Sequence, residues 1–334
     1  MLIDALQCGT YERETFELLR RGNLSCATVT CGFWENAIES MESLGNWREL
    51  VRRNEDLVLL AESEADIRRA EAEGRTAILP GFQNTDCLEN RIAFVELFAD
   101  LGVRVMQLTY NNQNSVGGSC YEAKDSGLAR FGREVVREMN RCGILIDCSH
   151  VGDRTTLDAI EASSLPIAIT HANPRSLIAH QRNKPDEVIK ALARSGGVIG
   201  CAIYRNITGD YYCSSVEAWC EMVARTVEIA GIDHVGIGTD YSHHVGVPEL
   251  DWMRKGRWTR GENYGAGSAA NAGPAPKADW CKDASCLGLI PEGLRKVGFS
   301  PEEAEKISGG NWLRLYGEVL GVRAKGRARA ALAA

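Results

Sequence analysis

The chain has 334 residues, of which 44% are hydrophobic and 25% charged, with a formal net charge of −7 at pH 7. These values are ordinary for a soluble globular enzyme and argue against nucleic acid or an anionic membrane as a partner. No segment has 18 uninterrupted apolar residues, and the first residues do not have the composition of a secretory signal. We therefore expect a cytoplasmic protein without a membrane span.

The twelve cysteines are scattered along the chain, with no CxxC pair and no zinc-finger spacing. An even number of cysteines indicates a disulfide framework in small secreted proteins, and no secretory signal is visible here. Cys26, Cys148 and Cys201 lie within apolar runs, as small buried core residues often do. We therefore expect free thiols rather than disulfide bonds.

Short apolar segments typical of buried β-strands alternate with amphipathic helical segments. In chain order the strand segments are Leu2–Leu6, Ser25–Thr30, Thr76–Leu79, Arg104–Thr109, Gly143–Asp147, Leu165–Thr170, Val198–Tyr204 and His234–Thr239. The main helical segments are 34–73, Glu12–Arg21, Leu88–Leu101, Phe131–Arg141, Thr155–Ser163, Asp186–Ala193 and Val216–Ala230. Eight strands that alternate with helices predict an α/β protein folded as a single (β/α)8 TIM barrel.

The barrel domain is expected to span residues 1–322, and the Ala/Arg/Lys-rich segment 323–334 is expected to be a disordered tail. Residues 256–280 are rich in Gly, Ala, Asn and Pro, which cannot supply a packed core, and they predict a long loop after the eighth strand. Loops that follow barrel strands lie on the face where barrel enzymes have their active sites. This loop is therefore either a lid or a solvated excursion.

Two neighbouring strand segments each end in a histidine, His150 and His171, with one helical segment between them. A strand, a helix and a second parallel strand form a βαβ unit, so both histidines are expected at the same edge of the sheet. Neutral imidazole is the commonest protein ligand for metals, and it also serves in acid–base catalysis. A single histidine there could simply cap its strand, but two at equivalent positions favour a functional site.

Motifs at the strand ends and in the loops that follow them form a distinctive set. They are Leu101–Arg104, Leu108–Thr109, Gly127–Leu128, Phe131–Asn140, Gly143–Val151, Thr170–His171, Arg182–Asn183 with Asp186, Gly196–Val198, His234–Asp240 and Gly309–Asn311. Over nearly the whole chain, this set resembles the renal (membrane) dipeptidase family of zinc peptidases. The resemblance implies a barrel of the metal-dependent hydrolase type, with two zinc ions that activate water to cleave a dipeptide or N-acyl amino acid. It also implies a homodimer.

The resemblance implies roles for four residues that match the family's motifs. His150 and His171 correspond to the two histidines on one metal ion, and Arg182 to the arginine that holds the substrate carboxylate. Asp240, at the end of the eighth strand, corresponds to the aspartate that contacts the substrate amine or the attacking water. An Arg–Asp surface pair of little energetic value is the structural alternative for Arg182 and Asp240.

Three departures from the family pattern affect the other metal ion, and a fourth affects a contact with the substrate. The first strand of the family normally ends in His-x-Asp, whereas this chain has Leu6 and Cys8 at those positions. The bridging glutamate corresponds to Gln83, and a substrate-contacting histidine corresponds to Tyr110. Leucine cannot bind a metal, and a neutral glutamine bridges two dications poorly. Cys8 is a possible ligand if it is ionised.

These observations leave three hypotheses. The first is a dipeptidase-like hydrolase with an altered site, in which His150, His171 and a third donor (Asp240, Gln83 or water) hold one zinc or other divalent ion. The second is an inactive family member that binds a small carboxylate ligand at Arg182. The third is a different chemistry in the same pocket, because fold does not determine function.

Three other sites deserve a structural explanation before a functional one. The adjacent His243 and His244 could reach the pocket, but a histidine pair in a loop is more often solvated, and the same reasoning applies to His180. Cys8 beside His150 is a conceivable covalent nucleophile. However, nothing in the sequence places these two side chains in contact.

Overall fold

The computed structural model describes residues 1–259 and 273–333, with side chains described up to Arg323. All eight predicted strands are present, with ends that differ from the predicted ones by a few residues. Within the described residues there are ten strands: β1 (Ile3–Gly9), β2 (Cys26–Thr30), β3 (Val58–Leu60), β4 (Thr76–Phe82), β5 (Val105–Gln107), β6 (Leu145–Asp147), β7 (Ala168–Ile169), β8 (Val198–Cys201), β9 (Val235–Ile237) and β10 (Tyr241–His243).

The helices form the outer layer, and each of the predicted helical segments overlaps at least one of them. In chain order they are α1 (Arg13–Arg21), α2 (Ala37–Arg53), α3 (Glu64–Ala72), α4 (Ala93–Asp100), α5 (Arg130–Cys142), α6 (Asp153–Ala162), α7 (Asp186–Arg194), α8 (Arg205–Cys213), α9 (Val216–Ala230), α10 (Val247–Lys255), α11 (Ile290–Lys296), α12 (Pro301–Glu305) and α13 (Asn311–Ala333). Short 3-10 turns lie at Asp86–Leu88, Ile232–His234 and Ala284–Leu289.

The sheet closes on itself, as the sequence predicts. Its strands follow the order β10, β1, β2, β4, β5, β6, β7, β8, β9, and β9 also pairs with β1 through Asp4 and Ile237. The strands that close the barrel are all parallel to their neighbours, so their carboxyl ends meet at one mouth. The fold is therefore a (β/α)8 TIM barrel.

Two of the strands lie outside this barrel and were not predicted. The strand β3 interrupts the 34–73 segment, which was expected to be mostly helical, and pairs with β4. The strand β10 follows β9 after three residues and pairs with β1. The apolar β3 is enclosed by segments rich in Arg and Glu, and the β10 sequence Tyr-Ser-His has no apolar run, so neither stood out as a buried strand.

The inside of the barrel is packed rather than open. The first turns of α13 place Trp312 and Tyr316, both fully buried, against the strands. The Trp312 Nε1–H donates to the Ile237 carbonyl at 2.9 Å, and the Tyr316 hydroxyl lies 3.0 Å from the Thr28 hydroxyl. Since side chains fill the interior, functional polar groups are expected at the mouth of the barrel.

One expectation about the cysteines is wrong. Cys281 and Cys286 form a disulfide, which links two positions of one short turn whose Cα atoms are 5.1 Å apart. This spacing lies within the range of natural disulfides. No residue pattern indicated this pair, because disulfide geometry depends on local backbone folding. The other cysteines of the described segments carry free thiols, as expected.

Several expectations lie beyond what the structure tests. No helix in ranges 1–259 and 273–333 is long and apolar enough to cross a membrane. Most of the predicted loop 256–280 lies outside the described residues, so its role as a lid is untested. The domain division, the disordered tail, the cytoplasmic location and the homodimer also stay predictions.

Candidate active site

His150 and His171 meet at the mouth of the barrel. They follow the neighbouring strands β6 and β7, and both side chains are buried. Their Nε2 atoms are 3.2 Å apart, and their ring centroids are 5.2 Å apart. The βαβ unit thus brings together two imidazoles that are 21 residues apart in the chain.

The outer nitrogen of each ring has its own partner. The Nδ1 atom of His150 lies 2.8 Å from Asn111 Oδ1, and that of His171 lies 2.8 Å from the Thr170 hydroxyl. Burial lowers the pKa of both imidazoles well below the ordinary value, and the nearby charge of Arg182 lowers it further. Both rings are therefore neutral near pH 7, the form in which imidazole binds a metal.

A buried carboxylate holds the backbone around this pair. Asp147 accepts hydrogen bonds from the Ser149 amide and hydroxyl, at 3.0 and 2.6 Å, and from the Thr170 amide and hydroxyl, at 2.9 and 2.8 Å. The Ser149 hydroxyl in turn accepts from the His171 amide at 3.0 Å. Burial raises the pKa of Asp147, whereas these four donors favour its ionised form. Asp147 therefore fixes the positions from which both histidines project.

A similar arrangement lies at the seam where the barrel closes. Asp4 on β1 accepts from the Thr239 amide at 2.8 Å, from the Thr239 hydroxyl, and from Gln7 Nε2 at 2.8 Å. Asp240 follows Thr239, just as His171 follows Thr170. In both places a buried aspartate on one strand thus holds the threonine that precedes a candidate functional residue on the next strand.

Asp240 lies at the mouth with an unusual backbone conformation. Its φ angle is +57°, in the left-handed region, and its amide donates to the Leu6 carbonyl at 3.1 Å. Burial raises the pKa of its carboxyl to about 7, although the charge of Arg182 opposes this shift. The carboxyl lines a cavity of about 310 Å³, whose other walls include Tyr204, Ser242 and Leu250. An acid with this pKa can donate or accept a proton near neutral pH.

Two buried cations hold the backbone carbonyl groups on either side of the histidines. The guanidinium of Arg182 donates to the Ser149 carbonyl and, at 3.0 Å, to the His171 carbonyl. The ammonium of Lys184 donates to the Val151 carbonyl, and burial lowers its pKa. Since a guanidinium has five N–H groups, Arg182 retains donors for a ligand. Among the described residues it forms no ion pair, so the Arg182–Asp240 surface pair considered above is absent.

Tyr110 covers one face of the histidine pair. Its ring centroid is 4.2 Å from that of His150, and its other neighbours are the rings of Phe33 and Trp34, at 5.2 and 5.4 Å. Burial raises the pKa of its hydroxyl well above the ordinary value, so the phenol is neutral. Tyr110 thus packs against the histidine pair and carries a neutral hydroxyl.

The side of the mouth formed by β1 has no suitable ligands for a second metal ion. Leu6 has no donor atom in its side chain. The Cys8 thiol donates to the Ser242 hydroxyl at 3.6 Å, and burial raises its pKa to about 12. Burial thus disfavours the thiolate, which is the form in which cysteine acts as a ligand or nucleophile.

A neutral hydrogen-bond network occupies this side instead. Gln7 Oε1 accepts from His243 Nε2 at 2.9 Å and from the Tyr11 hydroxyl at 3.2 Å. Burial lowers the pKa of His243 to about 3, so this histidine is neutral. The expectation of a solvated histidine pair is therefore wrong for His243, which β10 carries inward, whereas His244 is exposed. The partly buried His180 accepts a hydrogen bond from the Arg182 amide.

Gln83 has a buried acceptor without a partner. Its Nε2 donates to the Thr30 hydroxyl at 2.8 Å, while its Oε1 has no hydrogen-bond partner in the described part of the chain. Gln107 lies on β5, between the strands that precede Gln83 and His150. It donates to the Gln83 carbonyl at 2.6 Å and accepts from the His150 amide at 3.3 Å. An unsatisfied buried oxygen costs about 1–3 kcal/mol, and a cation would satisfy it.

The spacing of the histidine pair suits two ligands on one divalent ion. In ranges 1–259 and 273–333, no three His, Cys, Asp or Glu side chains are grouped so that they could hold a metal. The histidine nitrogens, however, are 3.2 Å apart, close to the spacing of about 3.3 Å between two tetrahedral ligands that each lie about 2.0 Å from zinc.

Several residues at this mouth were not singled out from the sequence. They are Asp4, Asn111, Asp147 and Lys184, and their contacts depend on neighbouring strands and loops. A signal was present for two of them, because Asp4 and Asp147 are charged residues within otherwise apolar strands. Buried charges are rare unless they are paired or have a specific role. No local pattern distinguishes Asn111 or Lys184.

Comparison with known proteins identifies relatives of the chain. The family model for membrane dipeptidase (peptidase family M19) matches residues 11–255. A dipeptidase from Claviceps purpurea, tcpJ, is 29% identical over 272 residues, which make up 80% of this chain and 57% of the relative. An uncharacterized dipeptidase from Schizosaccharomyces pombe is 28% identical over 218 residues, 63% of this chain and 52% of the relative. The chain thus spans about half the length of these curated relatives.

A solved structure is similar over almost the full length of both chains. The crystal structure of an amidohydrolase from Pseudomonas aeruginosa has a TM-score of 0.90 and is 36% identical, over 96% of this chain and 97% of the other. This likeness and the family match agree with the barrel and with the motifs at its strand ends. The chain therefore belongs to the membrane dipeptidase family, peptidase family M19.

Proposed function

We propose that the chain hydrolyses a dipeptide, or a similar small amide with a free carboxylate, and that it uses one divalent metal ion. The observation that carries this proposal is the histidine pair at the barrel mouth, with its Nε2 atoms 3.2 Å apart. Family membership makes the chain a dipeptidase-like hydrolase, and the altered site is the part we add.

His150, His171 and Gln83 would hold the ion, for which zinc is the first candidate. The ion would lower the pKa of a water molecule and polarise the amide carbonyl of the substrate. Because these three ligands are neutral, we expect weaker binding than in a site with carboxylates. The neutral network around Gln7 supports the absence of a second ion, since the nearby side chains are bonded to one another.

The remaining roles belong to residues that surround the pair. Asp240, whose pKa burial raises to about 7, would take a proton from the attacking water and pass it to the leaving amine. Arg182 would hold the substrate carboxylate with the N–H groups that are not bonded to backbone carbonyls. Tyr110, whose ring stacks near His150, would exclude water and contact the substrate with a neutral hydroxyl.

Elemental analysis of the purified protein, without chelator, tests this proposal. We expect about one zinc or similar ion per chain, and less than about a tenth of that in the variant His150→Ala/His171→Ala. The exposed histidine variant His244→Ala serves as the control and should retain the ion. Dipeptides and N-acyl amino acids are then assayed with both proteins. Failure to bind any metal under supplemented conditions, or two ions per chain, contradicts the one-ion site.

A second candidate function is the binding of a small carboxylate ligand without catalysis. The observation that favours it is the loss of donors on the β1 side, where Leu6 and a protonated Cys8 replace metal ligands. For this case we expect no hydrolysis by the native chain, and dipeptidase activity in the variant Leu6→His/Cys8→Asp/Gln83→Glu. Measurable hydrolysis by the native chain excludes this candidate.

A further inference from the structure

Asn111 connects His150 to a helix that covers the mouth of the barrel. Its Oδ1 lies 2.8 Å from His150 Nδ1, and its Nδ2 donates to the Met253 carbonyl of α10 at 3.3 Å. Its own carbonyl accepts from the Ser119 hydroxyl at 2.9 Å. The side chain is therefore held between a candidate metal ligand and a backbone group of α10.

The contact with α10 determines which way the amide faces. A carbonyl oxygen can only accept, so the Met253 carbonyl requires the nitrogen of the Asn111 amide to face it. The amide oxygen must then face His150 Nδ1, which carries the proton in that hydrogen bond. In a neutral ring the proton on Nδ1 leaves Nε2 with its lone pair, and Nε2 is the atom that faces His171.

The partner ring has more freedom. The Thr170 hydroxyl lies 2.8 Å both from Asp147 Oδ2 and from His171 Nδ1, so its single proton can turn toward either. His171 Nε2 can therefore present a proton to His150 or a lone pair to a cation. The Asn111 amide, unlike a hydroxyl, cannot change between donor and acceptor by rotating one O–H bond. Once its nitrogen faces Met253, its oxygen can only accept from His150, so the position of the His150 proton depends on Asn111.

The helix α10 is attached to the mouth by several side chains near this point. The Trp34 indole N–H donates to the same Met253 carbonyl at 3.2 Å, and the Trp252 indole N–H donates to Glu35 at 3.0 Å. Beyond the end of α10, Asn112 Nδ2 donates to the Thr259 hydroxyl at 3.1 Å, a bond that does not involve the helix. The Met253 carbonyl is thus held in place from two sides, which keeps the amide of Asn111 facing in one direction.

We propose that Asn111 is a positioning residue that selects the Nδ1–H tautomer of His150 and makes this tautomer depend on the attachment of α10. If α10 moves away, the amide loses the acceptor that orients it and can turn its nitrogen toward Nδ1. The proton of His150 then belongs on Nε2, where it blocks the atom that would bind a cation. Movement of α10 would therefore change, through the amide of Asn111, whether His150 Nε2 has a free lone pair for a cation.

NMR of metal-free protein with ¹⁵N-labelled histidine tests this proposal at a pH where the rings are neutral. The native protein should show His150 with Nδ1–H, and Asn111→Asp should keep it, because a carboxylate also accepts from Nδ1. Asn111→Leu removes the acceptor at similar volume and should move the proton to Nε2. The matched control Asn112→Leu removes the neighbouring bond to Thr259 and should leave His150 unchanged. An unchanged tautomer in Asn111→Leu, or the same change in Asn112→Leu, overturns the proposal.

Zinc titration against a chromophoric chelator adds a second readout, which rests on the proposed function. Loss of a group that orients a metal-binding histidine typically costs about 10–100-fold in affinity. We expect a loss of that size in Asn111→Leu and no loss in Asn112→Leu. The affinity of Asn111→Asp should stay within about threefold of the native value. Equal affinity of Asn111→Leu and native protein contradicts the link to the metal. If the native chain binds no zinc, the proposed function fails, and the NMR result still decides the role of Asn111.

Discussion

Asp240→Asn is expected to lower kcat/KM for a cleaved dipeptide by about 100-fold or more, and at the same time to stabilise the fold near neutral pH. The amide cannot take a proton from water, so catalysis loses its acid–base group. The stabilisation has a separate cause, since burial makes the charged carboxylate of Asp240 unfavourable in the folded chain. A residue that is costly for the fold and useful for catalysis is typical of active sites.

The sign of the pH dependence follows from the direction of the pKa shift. The carboxyl of Asp240 has a pKa of about 7 in the folded protein and about 4 when unfolded. Between these values the folded state binds the proton more tightly, so native stability falls as the pH rises through this window. Asp240→Asn has no such loss, and its advantage should therefore grow to the order of 4 kcal/mol.

Urea unfolding of both proteins at about pH 4 and about pH 8 measures this difference. The control is Asp56→Asn. Asp56 lies on the surface beside Arg13, which lowers the pKa of its carboxyl. Its effect should be small and of opposite sign. Equal stability of Asp240→Asn and native protein at both pH values would show that the carboxyl is not buried as described. Unchanged kcat/KM would remove Asp240 from the reaction.

Asp147→Ala is expected to destabilise the protein by about 3–5 kcal/mol and to abolish metal binding. The substitution leaves four donors, two from Ser149 and two from Thr170, without their buried acceptor. The loops that carry His150 and His171 would lose the group that joins them. Asp147→Asn keeps one acceptor at the same size, so it should lose roughly half as much.

Denaturant unfolding and elemental analysis together measure both effects of the Asp147 substitutions. Asp56→Ala, which removes a surface ion pair with Arg13, is the control and should change stability by less than about 1 kcal/mol. A loss below about 1 kcal/mol in Asp147→Ala would mean that water replaces the carboxylate. Normal metal content in a folded Asp147→Ala protein would show that the histidines keep their spacing without it.

The barrel could be predicted from the sequence because its strands are marked by local patterns. Each of the eight has a buried apolar run, and the order of strands and helices limits the topology to very few possibilities. The closeness of His150 and His171 followed from the same rule, since neighbouring parallel strands end at one edge. The strand β3 was missed because charged helical segments surround it, and β10 because it has no apolar run.

The neighbours of the histidines could not be predicted in the same way. Asn111 reaches His150 and Met253, which are 39 and 142 residues away in the chain. Its role exists only once three separate segments have folded together. The bonds of His243 to Gln7 and of Cys281 to Cys286 likewise depend on backbone geometry that no spacing of residue types reveals. The resemblance to a family identified the altered positions, but it did not indicate what replaces the missing ligands.

The bond between Asp4 and Thr239 joins residues 235 positions apart. Asp4 lies on β1 and Thr239 follows β9, so this bond forms only when the two strands that close the barrel meet. Bringing together residues so distant in the chain is entropically costly and slow. Asp240 directly follows Thr239, so the position of the proposed acid–base residue depends on closure of the whole barrel, whereas the histidine pair depends on one βαβ unit.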